Sequence, residues 1–475
     1  MLTLVSTPPS VLPTASVPLT IRDPRDGSLV GSVNVSTDDE IAVALGQVRA
    51  TAASWASTEA GERADAVRDM ADLLAGHADE LARLQTSETG CPLPSALAGV
   101  ADAVAVLHSY AELGPLHHTP SSTAGPTTSY TLAGPRGVVL VLTPWNDAVT
   151  AAATLIGAAV VAGNVVIHKP SEHCPHLGLR VGELLATAVP DGVLATLIGG
   201  AGVGSVLANS SGIDVVAHVG SAANGRRVSA AAARTGAHVI RLNGGNDALL
   251  IDADVDPEWA AELAARGAFA HGGQTSDSVE RILVHADIAE PFLAALVELA
   301  RNHNDDDPVA PLISQSARQL VHRQVITSLR AGAVVLEGGC LPHGPGSHYP
   351  ATVVTGCPVD SPLMTEETYG PVAAVHVVDD FETGLVLAAI DGYGKSATVL
   401  TGSLAHINDA VATLPVGTVK INDVAASLPG MAAQPRGASG TGFGLGPELL
   451  DELTTRKVVH MALPVLGRPS PGTAA

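Results

Sequence analysis

The sequence predicts an α/β protein in which a doubly wound, parallel sheet is followed by a second α/β domain. Short apolar runs alternate with helical stretches between residues 137 and 242. Strands that are apolar on both faces are typical of a parallel sheet covered by helices. The same alternation returns from about residue 245 to 445. At ~100–200 residues per domain, 475 residues suggest two or three domains.

The N-terminal part predicts helices after a loose segment. Residues 1–19 are rich in Pro, Ser and Thr. From about Asp38 to Leu113 apolar residues recur at spacings of three and four, which predicts helices, and Gly90 is a suitable helix end. Residues 114–134 are rich in Thr, Ser, Gly and Pro, which indicates a linker or a projecting hairpin.

Five apolar runs predict the strands of the first sheet. They are GVVLVL (137–142), NVVIHK (164–169), VLATLIG (193–199), DVVAHVG (214–220) and AHVIRL (237–242). Such a sheet binds ligands beyond the carboxyl ends of its strands. The uncharged stretch 149–167 could suggest a membrane span, but glycines and an asparagine interrupt it. We therefore expect a buried helix followed by a buried strand.

Composition excludes several classes of protein. The formal charge is −22, and 46% of the residues are hydrophobic, so the chain has enough apolar material for large cores and is not disordered. The acidic balance and the lack of any basic run argue against nucleic-acid and membrane-surface partners. The four cysteines are widely spaced, so we expect no disulfide scaffold. We expect a soluble, cytoplasmic protein without a signal peptide.

Polar residues follow the carboxyl ends of two predicted strands. Lys169 and Glu172 follow the second strand, and Lys169 is one of only four lysines in the chain. A cation and a carboxylate at this point could hold the hydroxyls of an adenosine ribose. Trp145 and Asn146 follow the first strand, where an asparagine amide can donate a hydrogen bond to a developing oxyanion.

A third strand end carries the segment HVGSAANG (218–225), which opens a predicted helix. Gly220 lets the backbone approach a ligand, and Ser221 offers a hydroxyl and a helix cap. The helix N-terminus favours an anion, although a simple capped helix start would give the same pattern. The glycine-rich GGAGVG (199–204) fails the dinucleotide pattern because Ser205 replaces the third glycine, so a tight turn is the simpler interpretation there.

Taken in order, these segments resemble the NAD(P)-dependent aldehyde dehydrogenase superfamily over nearly the whole chain. The matching motifs are PWN (144–146), AGNVVIHKPSE (162–172), HVGS (218–221), EETYGPV (366–372), VKIND (419–423) and GASGTGFG (437–444). The resemblance implies a Rossmann-type cofactor domain, a catalytic domain and a small oligomerisation hairpin. Their respective bounds are 1–113 with 134–244, then 245–445, and lastly 114–133 with 446–475.

The resemblance also implies roles for individual residues. It makes Asn146 the oxyanion donor and Glu367 a contact of the nicotinamide ribose. The cofactor-binding set is completed by Trp145, Lys169, Glu172, Gly220, Ser221, Gly225 and Tyr369. The implied cofactor is NAD, with NADP as the alternative, because the Glu172 carboxylate repels a 2′-phosphate. The implied partners are an aldehyde or acyl substrate and further copies of the chain, as a homodimer or homotetramer.

Two positions depart from the family pattern. The segment GQTSDSVER (273–281) places Ser276 where the family has its nucleophilic cysteine. The segment RLNGG (241–245) places Leu242 where the family has its general-base glutamate. A serine hydroxyl needs an adjacent base, which leucine cannot supply. The candidate substitutes are Asp277, His271 and His218, but Asp277 would point away from its neighbour in an extended backbone.

Three functions therefore remain open at the level of sequence. The chain could be an oxidoreductase that uses Ser276 or transfers hydride without a covalent adduct. It could have lost oxidation and bind a ligand or partner instead. It could also catalyse a serine-dependent acyl transfer or hydrolysis on the same scaffold. A metal site is not expected, because the spacing in His173-Cys174-Pro175-His176 suits no standard zinc site.

Overall fold

A computed structural model describes residues 18–117, 121–124, 127–305, 309–390, 392–424 and 432–462. The helices are α1 Asp38–Ala56, α2 Ala60–Gly76, α3 Ala78–Thr89, α4 Leu93–Leu113, α5 Ala148–Val161, α6 Pro175–Ala186, α7 Ala201–Ala208, α8 Ala222–Thr235, α9 Pro257–Phe269, α10 Ala286–Asp305, α11 Gln315–Arg330, α12 Pro362–Thr365, α13 Phe381–Ala388, α14 Leu404–Thr413 and α15 Glu448–Glu452. The strands are β1 Leu19–Arg22, β2 Leu29–Val33, β3 Ser121–Ala124, β4 Thr127–Pro135, β5 Val138–Leu142, β6 Val165–Lys169, β7 Leu194–Thr196, β8 Val215–Gly220, β9 His238–Asn243, β10 Asp247–Ile251, β11 Val279–His285, β12 Val334–Glu337, β13 Thr352–Thr355, β14 Val372–Val378, β15 Ser396–Leu400, β16 Thr418–Ile421, β17 Gly440–Thr441 and β18 Thr454–Ala462.

The first large sheet has six strands in the order β17-β9-β8-β5-β6-β7. Each of the five apolar runs forms one of its parallel strands, as the sequence predicts. The central strands β5 and β6 are buried along their whole length, since helices cover both faces. The sixth strand, β17, joins the edge antiparallel to β9 and brings the glycine-rich C-terminal motif to the sheet. This arrangement gathers the loops that follow β5, β6 and β8 at one edge.

The second large sheet has seven strands in the order β12-β13-β14-β11-β10-β15-β16. All neighbours run parallel except β12, which lies antiparallel to β13 at one edge. Separate apolar clusters cover its two faces. The two sheets draw on different stretches of the chain, and the exact domain bounds given above remain a proposal.

The uncharged stretch at residues 149–167 forms a buried helix and a buried strand, which confirms the prediction. All but one residue of α5 is buried, and β6 is fully buried. Among the described residues one helical stretch, Leu93–Leu116, is long and apolar enough to cross a membrane, whereas α5 is shorter. Its buried side packs in the same core as α5, so this is weak evidence for a span.

A three-stranded sheet in the order β18-β4-β3 lies apart from the two large sheets. The tail strand β18 pairs antiparallel with β4 over nine residues, and β3 forms a hairpin with β4. The structure thus pairs strands from the linker and from the tail segment 446–475 with each other within one chain. Residues 463–475 of the predicted tail segment lie outside the described part.

The pair of His406 and Asp252 should make stability depend on pH. His406 Nδ1 lies 2.5 Å from Asp252 Oδ2, and this hydrogen bond raises the pKa of His406 above its usual value. The folded state therefore holds a proton more tightly than the unfolded state does. The stabilisation is fully present below the unfolded pKa of about 6.5 and is lost as pH rises through the raised folded value.

We expect His406→Gln to lower the free energy of unfolding more at pH 6 than at pH 9. The difference should stay below about 1 kcal/mol, because the imidazole is partly exposed to solvent. Urea unfolding of both proteins at the two pH values measures it. Equal losses at both pH values would contradict this role for the pair.

Candidate functional site

A cavity of about 800 Å³ lies at the carboxyl edge of the six-stranded sheet and reaches the turn before β11 and the loop before β14. Its volume falls in the range of small-molecule and cofactor sites. The predicted site residues that line it are Trp145, Asn146, Lys169, Glu172, Gly220, Ser221, Leu242, Ser276, Glu367 and Tyr369. The eleventh, Gly225, does not line it. A side chain at Gly225 would clash with Asn243, so this glycine lets α8 pack closely on β9.

One end of the cavity carries the lysine and glutamate that follow β6. The Lys169 ammonium donates to the carbonyls of Pro170 (2.8 Å) and Gly199 (2.6 Å) and lies 3.8 Å from a Glu172 carboxylate oxygen. Burial lowers the pKa of Lys169, which Glu172 partly opposes. The ammonium is therefore held in place, while the Glu172 side chain remains open to the cavity.

The start of α8 forms the wall next to that end. Ser221 caps this helix, and its hydroxyl accepts a hydrogen bond from the backbone N–H of Asn224 at 3.4 Å. Gly220 precedes it with a φ of +158°, and both residues line the cavity. A helix N-terminus that opens into a cavity offers unpaired backbone N–H groups to an anion.

The other end of the cavity carries Ser276, in the turn before β11. The Gln274 side chain fixes this turn: its amide donates to the carbonyls of His271 and Pro311 (3.0 Å each), and its oxygen accepts from the Ile313 amide (2.9 Å). Gly273 has a φ of +69°, and a Cβ there would lie 2.2 Å from the Gly370 carbonyl oxygen. The Ser276 turn is therefore packed directly on the loop that contains Glu367.

Asn146 and Trp145 complete this end. Within the described part of the chain the Asn146 side-chain amide makes no hydrogen bond, so its N–H groups are available to a ligand. The Trp145 indole packs on the rings of Tyr369 (6.0 Å between centroids), His271 (6.3 Å) and His173 (6.5 Å). These contacts fix the start of the loop that presents Asn146.

A sequence model described as the aldehyde dehydrogenase family matches residues 13–459. The chain belongs to the aldehyde dehydrogenase family. It is 32% identical over 457 residues to the benzaldehyde dehydrogenase [NAD(+)] of Pseudomonas putida, covering 93% of this chain and 92% of that one. It is 31% identical over 421 residues to the α-ketoglutarate semialdehyde dehydrogenase of Haloferax volcanii, covering 86% and 87%.

Solved structures show the same fold. A betaine aldehyde dehydrogenase of Staphylococcus aureus, solved in complex with NAD+, superposes with a TM-score of 0.91 at 27% identity and covers 95% of each chain. A second structure of that enzyme with NAD+ gives a TM-score of 0.90, also at 27% identity, covering 94% of this chain and 92% of that one. The α/β architecture predicted from the sequence is thus the aldehyde dehydrogenase fold.

Leu242, at the position where the family motif has its general-base glutamate, makes an apolar contact. Leu242 lies on β9 and pairs with Gly440 of the antiparallel strand β17. Its side chain fills the space over Gly444, where an added Cβ would lie 1.9 Å from Leu242 Cδ1. The glycine of the C-terminal motif therefore accommodates this leucine, and no proton acceptor is present at position 242.

None of the three candidate substitute bases is hydrogen-bonded to Ser276 in the described part of the chain. The Asp277 carboxylate pairs with Lys420 at 2.8 Å, and it does not bond to its neighbour Ser276. His218 lines the cavity, and burial lowers its pKa to about 4. His271 has a φ of +51° and two buried ring nitrogens without partners, and burial lowers its pKa to about 4. Both imidazoles are therefore neutral at pH 7.

The structure adds two titratable groups that sequence reasoning missed, Asp247 and Lys395, and it shows the surroundings of the predicted Glu367. Burial raises the pKa of Glu367 to about 7, against the opposing effect of Lys395, and burial also raises the pKa of Asp247 to about 7. Lys395 lies beneath the cavity, where its ammonium is 3.5 Å from the Asn243 carbonyl. The scarcity of lysine is a usable signal, since three of the four lysines, Lys169, Lys395 and Lys420, lie at or next to this site. Among the described residues no group of three His, Cys, Asp or Glu side chains is placed to hold a metal ion.

Proposed function

We propose that this aldehyde dehydrogenase family member binds a nicotinamide dinucleotide and a small aldehyde, with Ser276 in place of the nucleophilic cysteine. One observation supports the proposal above all: a single cavity joins Lys169 and Glu172 to Ser276 and Asn146. The Pseudomonas putida relative is named as an NAD(+) enzyme, and the Staphylococcus aureus enzyme was solved in complex with NAD+. We expect the protein in the cytoplasm.

The residues present fit a dinucleotide at one end of this cavity. Glycines at positions 200 and 204 let the start of α7 lie close to the Lys169 and Glu172 side chains. A Cβ at Gly204 would lie 3.3 Å from Lys169 Cε, and one at Gly200 would lie 3.7 Å from a Glu172 oxygen. Lys169 and Glu172 would hold the adenosine ribose, and the Ser221 helix start would hold the phosphates. Glu367 would contact the nicotinamide ribose.

The protein's own groups determine how far oxidation can proceed. When bound, the nicotinamide ring supplies a hydride acceptor. Asn146 can donate a hydrogen bond to the substrate oxygen, which stabilises negative charge there. Ser276 has no base to remove its proton, and Leu242 cannot activate water. We therefore propose that aldehyde oxidation is very slow or absent in the chain as it stands.

A second candidate function is weak serine-dependent ester hydrolysis. The unpartnered Asn146 amide favours it, because an oxyanion donor beside Ser276 suits acyl transfer as well as oxidation. An activated ester tests it: release of the alcohol that disappears in Ser276→Ala would favour hydrolysis. A chain that binds NAD but turns over neither substrate would favour the ligand-binding interpretation.

We expect NAD at 100 times its dissociation constant to stabilise the protein by about 2.7 kcal/mol. Glu172→Gln should weaken NAD binding about tenfold, since a hydrogen bond to a charged group is lost. It should also reduce the preference for NAD over NADP. Calorimetric titration with both nucleotides measures this. Glu183→Gln, a control on an exposed face of α6, should bind as the parent does. If neither nucleotide binds at millimolar concentration, the proposed function is wrong.

We also propose a homodimer or homotetramer in which the β18-β4-β3 sheet contacts another subunit. This small sheet exposes Val458 (71%), Met461 (50%) and Leu132 (47%) to solvent. Unpaired sheet edges and exposed apolar side chains are commonly covered by another copy of the chain. Light scattering at micromolar concentration should give at least twice the mass of 47.8 kDa, and Val458→Asp should reduce it. A monomeric mass for the parent would contradict the proposal.

A further inference from the structure

Glu280 is a buried carboxyl group that the proposed function does not yet use. It is the second residue of β11 and lies four positions after Ser276. Only 3% of it is exposed to solvent. Burial, reinforced by the neighbouring Glu367, raises its pKa well above the usual value. A carboxyl group in such a place is costly unless it makes specific hydrogen bonds.

Both oxygens of Glu280 accept hydrogen bonds from consecutive backbone amides. The Thr368 N–H donates to Oε2 at 3.0 Å, and the Tyr369 N–H donates to Oε1 at 3.2 Å. Tyr369 has a φ of +53°, a left-handed conformation that a bulky residue rarely adopts. The two hydrogen bonds therefore hold a strained loop in a single conformation.

This loop carries groups that face the cavity. Glu367 contacts the backbone at Gly244, since an added Cβ there would lie 1.6 Å from Glu367 Oε1. Thr368 and Tyr369 also line the cavity, and the Tyr369 ring meets Trp145 edge to face. The loop makes two contacts with the segment that contains Ser276. Gly370 packs against Gly273, and the Glu280 carboxyl group accepts the hydrogen bonds from Thr368 and Tyr369.

We propose that Glu280 is a positioning residue that fixes Glu367 and Tyr369 at the nicotinamide end of the cavity, in register with Ser276. This inference rests on the proposed function, because it assumes that a dinucleotide lies along the cavity. Glu280 itself does not line the cavity, so it acts through the loop. The adenosine end, at Lys169 and Glu172, is held by separate contacts and should not depend on it.

The substitution Glu280→Gln tests this at nearly constant volume. An amide has one oxygen, so the second backbone N–H would face an NH₂ group and lose its acceptor. We expect NAD to bind about tenfold more weakly, while AMP, which probes the adenosine end alone, stays within about twofold. Glu280→Asp serves the same comparison if the glutamine variant does not fold. A merely structural defect would weaken AMP and NAD alike.

Two further variants sharpen the test. Glu366→Gln is the matched control, because this exposed neighbour in the same loop only approaches Gln324, at 3.5 Å. It should bind both ligands as the parent does. In the Glu367→Gln background, Glu280→Gln should weaken NAD binding less than it does in the parent, because one of the two groups that the loop positions is already lost. Unchanged NAD binding in Glu280→Gln, or equal weakening of AMP and NAD, would overturn the inference alone. A parent chain that binds no NAD would overturn the proposed function with it.

Discussion

Replacing Ser276 by Cys and Leu242 by Glu together should give an NAD-dependent aldehyde dehydrogenase activity that the parent chain lacks. A cysteine has a pKa near 8.5 and readily provides a thiolate, whereas a serine needs a base that this site does not supply. The glutamate would restore general-base catalysis, which typically contributes ~10²–10⁴-fold. We expect the rate of aldehyde oxidation to rise at least about a hundredfold over that of the parent. The absorbance of reduced nicotinamide, measured with a panel of aldehydes, gives this rate.

The single variants show which group limits the rate. Residues that act as a unit are not additive, so each single change should restore much less than the pair. Ser276→Cys with Leu242→Gln is the matched control, because glutamine has the shape of glutamate without its basicity. It also tests whether a longer polar side chain fits over Gly444, where Leu242 now packs. Rapid NADH formation by the parent that survives Ser276→Ala would place the chemistry elsewhere.

Arg281→Met should destabilise the protein by about 3–5 kcal/mol, since each buried carbonyl left without a donor costs ~1–3 kcal/mol. Arg281 lies on β11, is 3% exposed, and donates to the carbonyls of Asn246 (3.0 Å), Leu387 (3.0 Å) and Ala388 (3.2 Å). These bonds tie β11 to the segment before β10 and to α13. Denaturant unfolding of both proteins measures the loss of stability.

Arg266→Met is the control for this prediction. Arg266 pairs with Asp423, but both side chains are more than half exposed, and exposed ion pairs contribute ~0–1 kcal/mol. The two substitutions remove the same group from a buried and from an exposed site. Equal losses of stability would show that the carbonyl contacts of Arg281 are not what holds the sheet to its helix.

The large sheets could be predicted from the sequence because their strands are short apolar runs. The sequence analysis named the strands of the first sheet and predicted the second sheet only as an α/β region. Several strands at sheet edges show no apolar run, because only part of each residue is buried there. β12 alternates exposed and half-buried residues, and β17 is a two-residue strand made by Gly440 and Thr441. The N-terminal hairpin of β1 and β2 is equally exposed. Such strands form because they pair with another strand, and the local hydrophobic pattern of the sequence does not show which segment that is.

The site shows the same limit. Asn146 and Lys169 could be placed at one cavity because each lies at the carboxyl end of a strand of the six-stranded sheet. Ser276, in the turn before β11, was found through the family motif instead. The contacts of Glu280 could not be read in this way, since its partners lie 88 and 89 positions further along the chain. Nor did the sequence show that the side chain of Leu242 would rest on Gly444. Pairings between distant segments decide how the site is supported.

The β18-β4 pairing has a consequence for the biosynthesis of this chain. The Tyr110 hydroxyl donates a hydrogen bond to the Gly446 carbonyl, 336 positions further along the sequence. The strands β4 and β18 are separated by a similar length of sequence. At ribosomal speeds of ~5–20 residues per second, roughly 15–60 s pass between the synthesis of the two strands. During that time one edge of β4 stays unpaired, while the five parallel strands of the first large sheet have already been synthesised. The nascent chain therefore carries an aggregation-prone strand edge until its own tail has been synthesised.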